Sequence, residues 1–220
     1  MTASGIFLVL FIIFSLAHLI SEAAWSLAGR YITKPFLMPT LALYYTASTA
    51  QPNPVLVAAI ACGWIGDIFL MIPDPQKTRR YFKPGLVAFL LGHLLYTAVF
   101  TAYLPRASSV PAWGWCALAV YFTAGAVGYR LIAPHTGKML PAIIAYIIII
   151  VLMGVSTVLP LGSVSTTGAI TAMAGALVFM VSDTINAYNK FAREIPLERL
   201  YTMSTYLGGQ FLLVQGYLLF

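Results

Sequence analysis

Long apolar runs recur from one end of this chain to the other, and they constrain its fold more than any other feature. A helix needs about 20 mostly apolar residues to cross the hydrocarbon core of a bilayer. Eight runs reach or approach that length, near residues 4–22, 35–50, 54–73, 85–104, 111–132, 139–159, 167–190 and 199–219. The sequence therefore predicts an all-α, polytopic integral membrane bundle of eight transmembrane helices.

Composition supports the same class. Of the 220 residues, 60% are hydrophobic and only 8% are charged, whereas roughly a quarter of residues are charged in soluble domains. No run is left over for a soluble region, so we predict a single transmembrane domain over residues 1–220. The net charge of +6 is spread over the predicted loops, which favours a role in membrane orientation and predicts no nucleic-acid partner.

The basic residues lie almost entirely on one side of this predicted bundle. The first, third, fifth and seventh connections carry every lysine and arginine except Arg106, namely Arg30, Lys34, Lys77, Arg79, Arg80, Lys83, Arg130, Lys138, Lys190, Arg193 and Arg199. Because such residues remain on the cytoplasmic side, we expect these connections in the cytoplasm and both termini on the non-cytoplasmic side.

Two aspartates are the most unusual residues within the apolar runs. An ionisable side chain at the bilayer centre costs roughly 2.5 to 3.5 kcal/mol on insertion scales, so it requires partners or a function. Counted from the cytoplasmic ends of their helices at 1.5 Å per residue, Asp67 lies about 9 Å deep, and Asp183 and His93 about 12 Å. No lysine or arginine is expected at this depth. The sequence thus favours a pair of carboxyl groups in a cavity open toward the cytoplasmic side.

Other polar residues are expected at a depth in the membrane similar to that of the aspartates. Tyr96 follows His93 by three residues and Asn186 follows Asp183 by three, and this spacing keeps each pair on one helix face. The last helix carries Tyr206 and Gln210 at a comparable depth, and Lys34 stands at the entrance of the second helix.

Structural roles are the alternative for several of these residues. The aspartates could form hydrogen bonds or ion pairs between helices. His93 could be a buried packing residue whose ring is hydrogen-bonded. His18 and Glu22, one helical turn apart near a membrane edge, are expected to pair with each other.

We expect no metal and no cofactor. A catalytic zinc site takes three protein ligands, and only one of the three histidines, His93, lies at the depth of the aspartates. The sequence also lacks a glycine-rich phosphate loop and a serine nucleophile elbow.

Five short segments carry a resemblance to a known family. They are Lys34-Pro35-Phe36-Leu37-Met38-Pro39, Gly66-Asp67-Ile68-Phe69-Leu70-Met71, Gly92-His93-Leu94-Leu95-Tyr96, Phe179-Met180-Val181-Ser182-Asp183-Thr184 and Gly209-Gln210. In this order the chain resembles the YhhN family of lysoplasmalogenases. The resemblance implies an eight-helix membrane hydrolase, here of the bacterial inner membrane, whose substrate is a lysophospholipid held among membrane lipids. Such an enzyme cleaves the vinyl ether bond of a 1-alkenyl glycerophospholipid and releases a fatty aldehyde and a glycerophospho-ethanolamine or -choline.

The residues suit this chemistry. Protonation of a vinyl ether carbon leaves an oxocarbenium ion that water captures, so the reaction requires an acid and a carboxylate. We predict Asp67 and Asp183 as that catalytic pair, and the sequence leaves open which one is the acid. Residues expected to bind the glycerol or head group, or to shape the pocket, are Lys34, His93, Tyr96, Asn186, Tyr206 and Gln210.

Two rival functions also use paired aspartates. An intramembrane aspartyl protease requires two carboxyl groups from different helices. A proton-coupled lipid or solute transporter relays protons through such groups, but it predicts polar residues on both sides of the midplane and an internal repeat, and the sequence shows neither.

Overall fold

A computed structural model describes residues 2–73, 80–103 and 110–220. Within these ranges the chain is helical and contains no strand. The helices are α1 (Ala3–Ala23), α2 (Leu27–Ser48), α3 (Pro54–Met71), α4 (Phe82–Thr101), α5 (Ala112–Ile132), α6 (Leu140–Ser156), α7 (Thr166–Phe191) and α8 (Glu198–Leu218). Two short 3₁₀ turns, Ala133–His135 and Gly137–Met139, join α5 to α6.

The all-α prediction is confirmed for the described residues. By length and composition, α1 and the five helices from α3 to α7 are able to cross a membrane, as expected of an integral membrane protein. Eight transmembrane crossings, outward termini and a single domain over 1–220 stay predictions. Lys77, Arg79 and Arg106, which enter the orientation argument, lie outside the described residues.

The second helix is longer than the sequence predicted. It begins at Leu27, where the Ser26 side chain caps the Gly29 amide, rather than near residue 35. Pro35 and Pro39 therefore lie inside α2, where each removes an intrahelical hydrogen bond. The Pro35 carbonyl, which would otherwise accept from residue 39, instead accepts a 2.9 Å bond from the Trp64 indole of α3. The neighbouring helix α3 thus satisfies the carbonyl of Pro35, which receives no intrahelical hydrogen bond because Pro39 has no amide hydrogen.

The described chain divides into two compact units, residues 1–96 and 97–220. In the first unit α2 packs against both α1 and α3, and α4 packs against α3 at two glycines. A Cβ at Gly92 would lie 3.3 Å from the Ala59 carbonyl oxygen, and one at Gly66 would lie 2.6 Å from the Phe89 ring. These close approaches place α4 directly beside the segment of α3 that carries Asp67.

In the second unit α7 packs along α8, and α5 packs on α6 and α7. Small residues of α7 are buried at Ala172, Gly175 and Ala176. A Cβ on Gly175 would lie 2.6 Å from the Leu213 amide nitrogen. The two backbones are able to approach this closely because Gly175 has no side chain. Such contacts are typical of membrane helices, where small residues form the packing faces. They fix α7, the helix that carries Asp183, against α8.

Candidate active site

The first unit places Asp67 beside a lysine. Asp67 lies on α3 and is 2% exposed. The Nζ atom of Lys34, on α2, lies 3.2 Å from Asp67 Oδ1, and the lysine side chain is 12% exposed. The pair is neutral as a whole, which lowers the cost of holding a carboxylate in an apolar bundle.

The prediction that no cation would share the depth of the aspartates was therefore wrong for Asp67. Lys34 and Arg30 were expected in a connection or at a helix entrance, but both lie inside α2 because this helix begins at Leu27. At 1.5 Å per residue, Lys34 lies roughly 10 Å beyond the first residue of the helix. The earlier helix start thus brings the ammonium to the carboxylate.

A second buried ion pair joins α1 to α2. Arg30 Nε lies 2.7 Å from Glu22 Oε2, and the side chains are 9% and 5% exposed. His18 Nε2 lies 3.5 Å from Glu22 Oε1, which confirms their predicted pairing. The other ring nitrogen of His18 is 2.8 Å from the Thr33 hydroxyl. This cluster of His18, Glu22, Arg30 and Thr33 anchors the α2 segment that carries Lys34.

His93 and Tyr96 lie on α4 in the same unit. Both side chains are about 1% exposed, and Gly92 brings this part of α4 against Ala59 and Cys62 of α3. The structure thus buries both residues on the helix that packs beside the Asp67 segment, as a pocket-shaping role requires. That role remains a prediction.

In the second unit Asp183 accepts a hydrogen bond from a tyrosine. The hydroxyl of Tyr146, on α6, donates to Asp183 Oδ2 at 2.6 Å. Tyr146 is 8% exposed, whereas Asp183 is partly exposed. A distance of 2.6 Å is at the short end of the range for O–H···O hydrogen bonds, so this contact holds the orientation of the carboxyl group.

The other predicted residues of the second unit lie on α7 and α8. Asn186 is partly exposed on α7, one turn beyond Asp183. Tyr206 and Gln210 are buried on α8, and the Tyr206 ring meets Phe179 edge to face with 5.3 Å between centroids. The Ser182 hydroxyl donates to the Thr202 carbonyl at 2.9 Å, which links α7 to α8 directly beside Asp183.

Tyr146 was not among the residues predicted from the sequence. A signal was present, because a tyrosine hydroxyl within an isoleucine-rich membrane helix requires a hydrogen-bond partner. Tyr146 lies six residues after the start of α6, and Asp183 lies eight before the end of α7. In antiparallel neighbours these offsets correspond to similar depths of roughly 9 and 12 Å.

The two carboxyl groups therefore have different surroundings, one beside an ammonium and one beside a neutral hydroxyl. Among the described residues, no three histidine, cysteine, aspartate or glutamate side chains come together to hold a metal ion. Each unit thus offers one carboxyl group able to give, take or stabilise charge.

Comparisons with known proteins give the family. The sequence model of the YhhN family matches residues 29–217. Lysoplasmalogenase TMEM86B of Mus musculus is 28% identical over 181 residues, which are 82% of this chain and 71% of that protein. Lysoplasmalogenase TMEM86A of Bos taurus is 31% identical over 153 residues, 68% of this chain and 59% of that protein. No solved structure matches. Since the family match covers most of the chain and includes both aspartates, this protein belongs to the YhhN family.

Proposed function

We propose that this protein is a lysoplasmalogenase, which hydrolyses the vinyl ether bond of 1-alkenyl lysoglycerophospholipids. The products are a fatty aldehyde and glycerophospho-ethanolamine or glycerophospho-choline. The observation that carries the proposal is the similarity over 82% of the chain to a relative named for this activity. The apolar helices agree with it, because a lysolipid substrate resides in a membrane.

The catalytic residues of the proposal are Asp67 and Asp183. Both lie within the family match, and each is held by a polar contact, with Lys34 at 3.2 Å or with Tyr146 at 2.6 Å. Vinyl ether hydrolysis passes through an oxocarbenium ion, as glycoside hydrolysis does, and paired carboxyl groups serve the latter reaction. The analogy concerns the reaction chemistry alone and implies no similarity of fold.

The remaining polar residues are proposed to bind the substrate. Asn186, Tyr206 and Gln210 offer amide and hydroxyl groups to the glycerol and the head group, and Lys34 offers a positive charge. His93 and Tyr96 shape the pocket, which we propose opens toward the cytoplasmic side. The reaction requires no metal and no cofactor in this proposal.

The test uses purified protein in detergent with a 1-alkenyl lysophosphatidylethanolamine. Aldehyde release is followed by a coupled dehydrogenase, with the 1-acyl lysolipid and a helical membrane peptide as alternative substrates. We expect aldehyde from the vinyl ether lipid alone. Cleavage of the peptide and not of the lipid would contradict the proposal.

Three variants connect the activity to the residues. Asp67→Asn and Asp183→Asn retain the shape of each side chain but remove its acid-base function, so we expect kcat to fall by at least 100-fold, within the range for general acid-base catalysis. Glu194→Gln is the matched control, because Glu194 is an exposed carboxyl group after α7. Full activity of both aspartate variants, with the protein folded, would refute their catalytic role.

A further inference from the structure

Two prolines interrupt the hydrogen bonding of α2 at the turn that carries Lys34. Because Pro39 has no amide hydrogen, the Pro35 carbonyl lacks its intrahelical donor, and the Trp64 indole N–H of α3 donates to it at 2.9 Å. We propose that this bond makes Trp64 a positioning residue of the proposed active site: it holds the α2 turn so that the Lys34 ammonium lies 3.2 Å from Asp67. The inference rests on the proposed lysoplasmalogenase activity and concerns the first unit alone.

Trp64 and Asp67 contact neighbouring residues of α2. They are three residues apart and so lie on one face of α3. Their partners, Pro35 and Lys34, are consecutive in the chain. A shift or rotation of this α2 turn that breaks the bond to the carbonyl therefore also changes the position from which the lysine side chain extends toward the carboxylate.

The N–H group is the part of the Trp64 side chain that this site uses specifically. The residue is 38% exposed, so packing gives little reason for a ring of this size at position 64. A backbone carbonyl within an apolar bundle is costly to leave without a donor. The indole removes that cost and at the same time joins the interrupted turn of α2 to the helix that carries Asp67.

Other contacts fix α2 on either side of the turn. Before it, Arg30 pairs with Glu22 of α1 at 2.7 Å. After it, Leu37, Met38 and Leu41 are fully buried. These contacts remain when the indole N–H is removed, so we expect loss of that bond to displace the turn locally while the unit stays folded.

Replacing Trp64 with 3-benzothienylalanine tests the bond, because this residue has nearly the shape of tryptophan but carries sulfur in place of the N–H group. A displacement of about 1 Å is able to cost about 100-fold in rate, so we expect kcat/KM for aldehyde release to fall roughly 10- to 100-fold. The same replacement at Trp115, which is 49% exposed on α5, is the matched control and should change kcat/KM less than about threefold. No fall at position 64, or an equal fall at both positions, would overturn the inference.

Pro39→Ala tests whether Trp64 acts through the Pro35 carbonyl. Alanine restores an amide hydrogen that donates to this carbonyl within the helix, so the indole bond becomes dispensable. In this background we expect the replacement at position 64 to lower kcat/KM less than about threefold, although it lowers kcat/KM roughly 10- to 100-fold when the proline is present. An equal fall in the two backgrounds would show that the ring acts by packing and would refute the positioning role.

Unfolding by sodium dodecyl sulfate makes the same comparison without any activity. We expect the replacement at Trp64 to lower the unfolding midpoint when Pro39 is present and to leave it unchanged in Pro39→Ala, which also decides the question for a variant of low activity. Equal shifts of the midpoint in both backgrounds would contradict the role of the bond. If the unmodified protein releases no aldehyde, the proposed function itself fails, so the two failures are distinguishable.

Discussion

The buried pair of Glu22 and Arg30 allows a sharp prediction about stability. We consider Glu22→Gln, Arg30→Gln and the double variant. Arg30 Nε lies 2.7 Å from Glu22 Oε2, and both side chains are less than one-tenth exposed. At an effective dielectric constant of about 20, two unit charges at this distance attract each other by roughly 6 kcal/mol. Much of this attraction only offsets the cost of removing both charges from water.

The single and double variants should therefore differ. Removing one partner leaves the other charge buried without its counter-charge, and we expect each single variant to lower the free energy of unfolding by about 3 to 5 kcal/mol. Removing both charges eliminates that penalty, so the double variant should lose no more than either single variant. None of these variants changes His18 or Thr33, whose side chains are 2.8 Å apart in the unmodified protein.

Unfolding in mixed micelles measures this effect. The protein in a mild detergent is titrated with sodium dodecyl sulfate, and the loss of tertiary structure gives the free energy of unfolding for each variant. Arg130→Gln serves as the control, because Arg130 is exposed at the end of α5 and should change stability by less than about 0.5 kcal/mol. If the two single losses add in the double variant to within about 0.5 kcal/mol, the charges do not interact and the reasoning fails.

Three further predictions concern other contacts. Gly216→Ala places a methyl group 2.5 Å from an α7 backbone nitrogen. It should lower the free energy of unfolding by about 1 to 3 kcal/mol in the same titration. Gly208→Ala, whose Cβ would have its nearest neighbour at 3.9 Å, should not lower it. Leu197→Asn should raise the free energy of unfolding by about 0.5 to 1 kcal/mol, because φ is 56° there and asparagine tolerates this conformation; a loss of stability would contradict it. Lys34→Met removes the ammonium 3.2 Å from Asp67, so we expect kcat for aldehyde release to fall at least tenfold, while Lys34→Arg retains more activity; equal activity of the two variants would exclude a role for the charge.

The sequence predicted most helices well because apolar length is a local property. The exception is the start of α2, where Arg30 and Lys34 were interpreted as part of a connection. Arg30 and Lys34 form ion pairs with Glu22 and Asp67 on the neighbouring helices, and Thr33 contacts His18. Because such partners are far away in the chain, no local pattern indicates that this segment is able to remain helical within the bundle.

The energetic cost of an ionisable group in an apolar helix was enough to select the two aspartates as candidate site residues. It did not indicate their partners. Which polar group meets Asp67 or Asp183 depends on which helices are neighbours and on how each is rotated. A lysine at a supposed helix entrance and a tyrosine among isoleucines gave no reason to connect either with a particular carboxyl group. The contacts with Lys34 and Tyr146 required the packing of α2 on α3 and of α6 on α7.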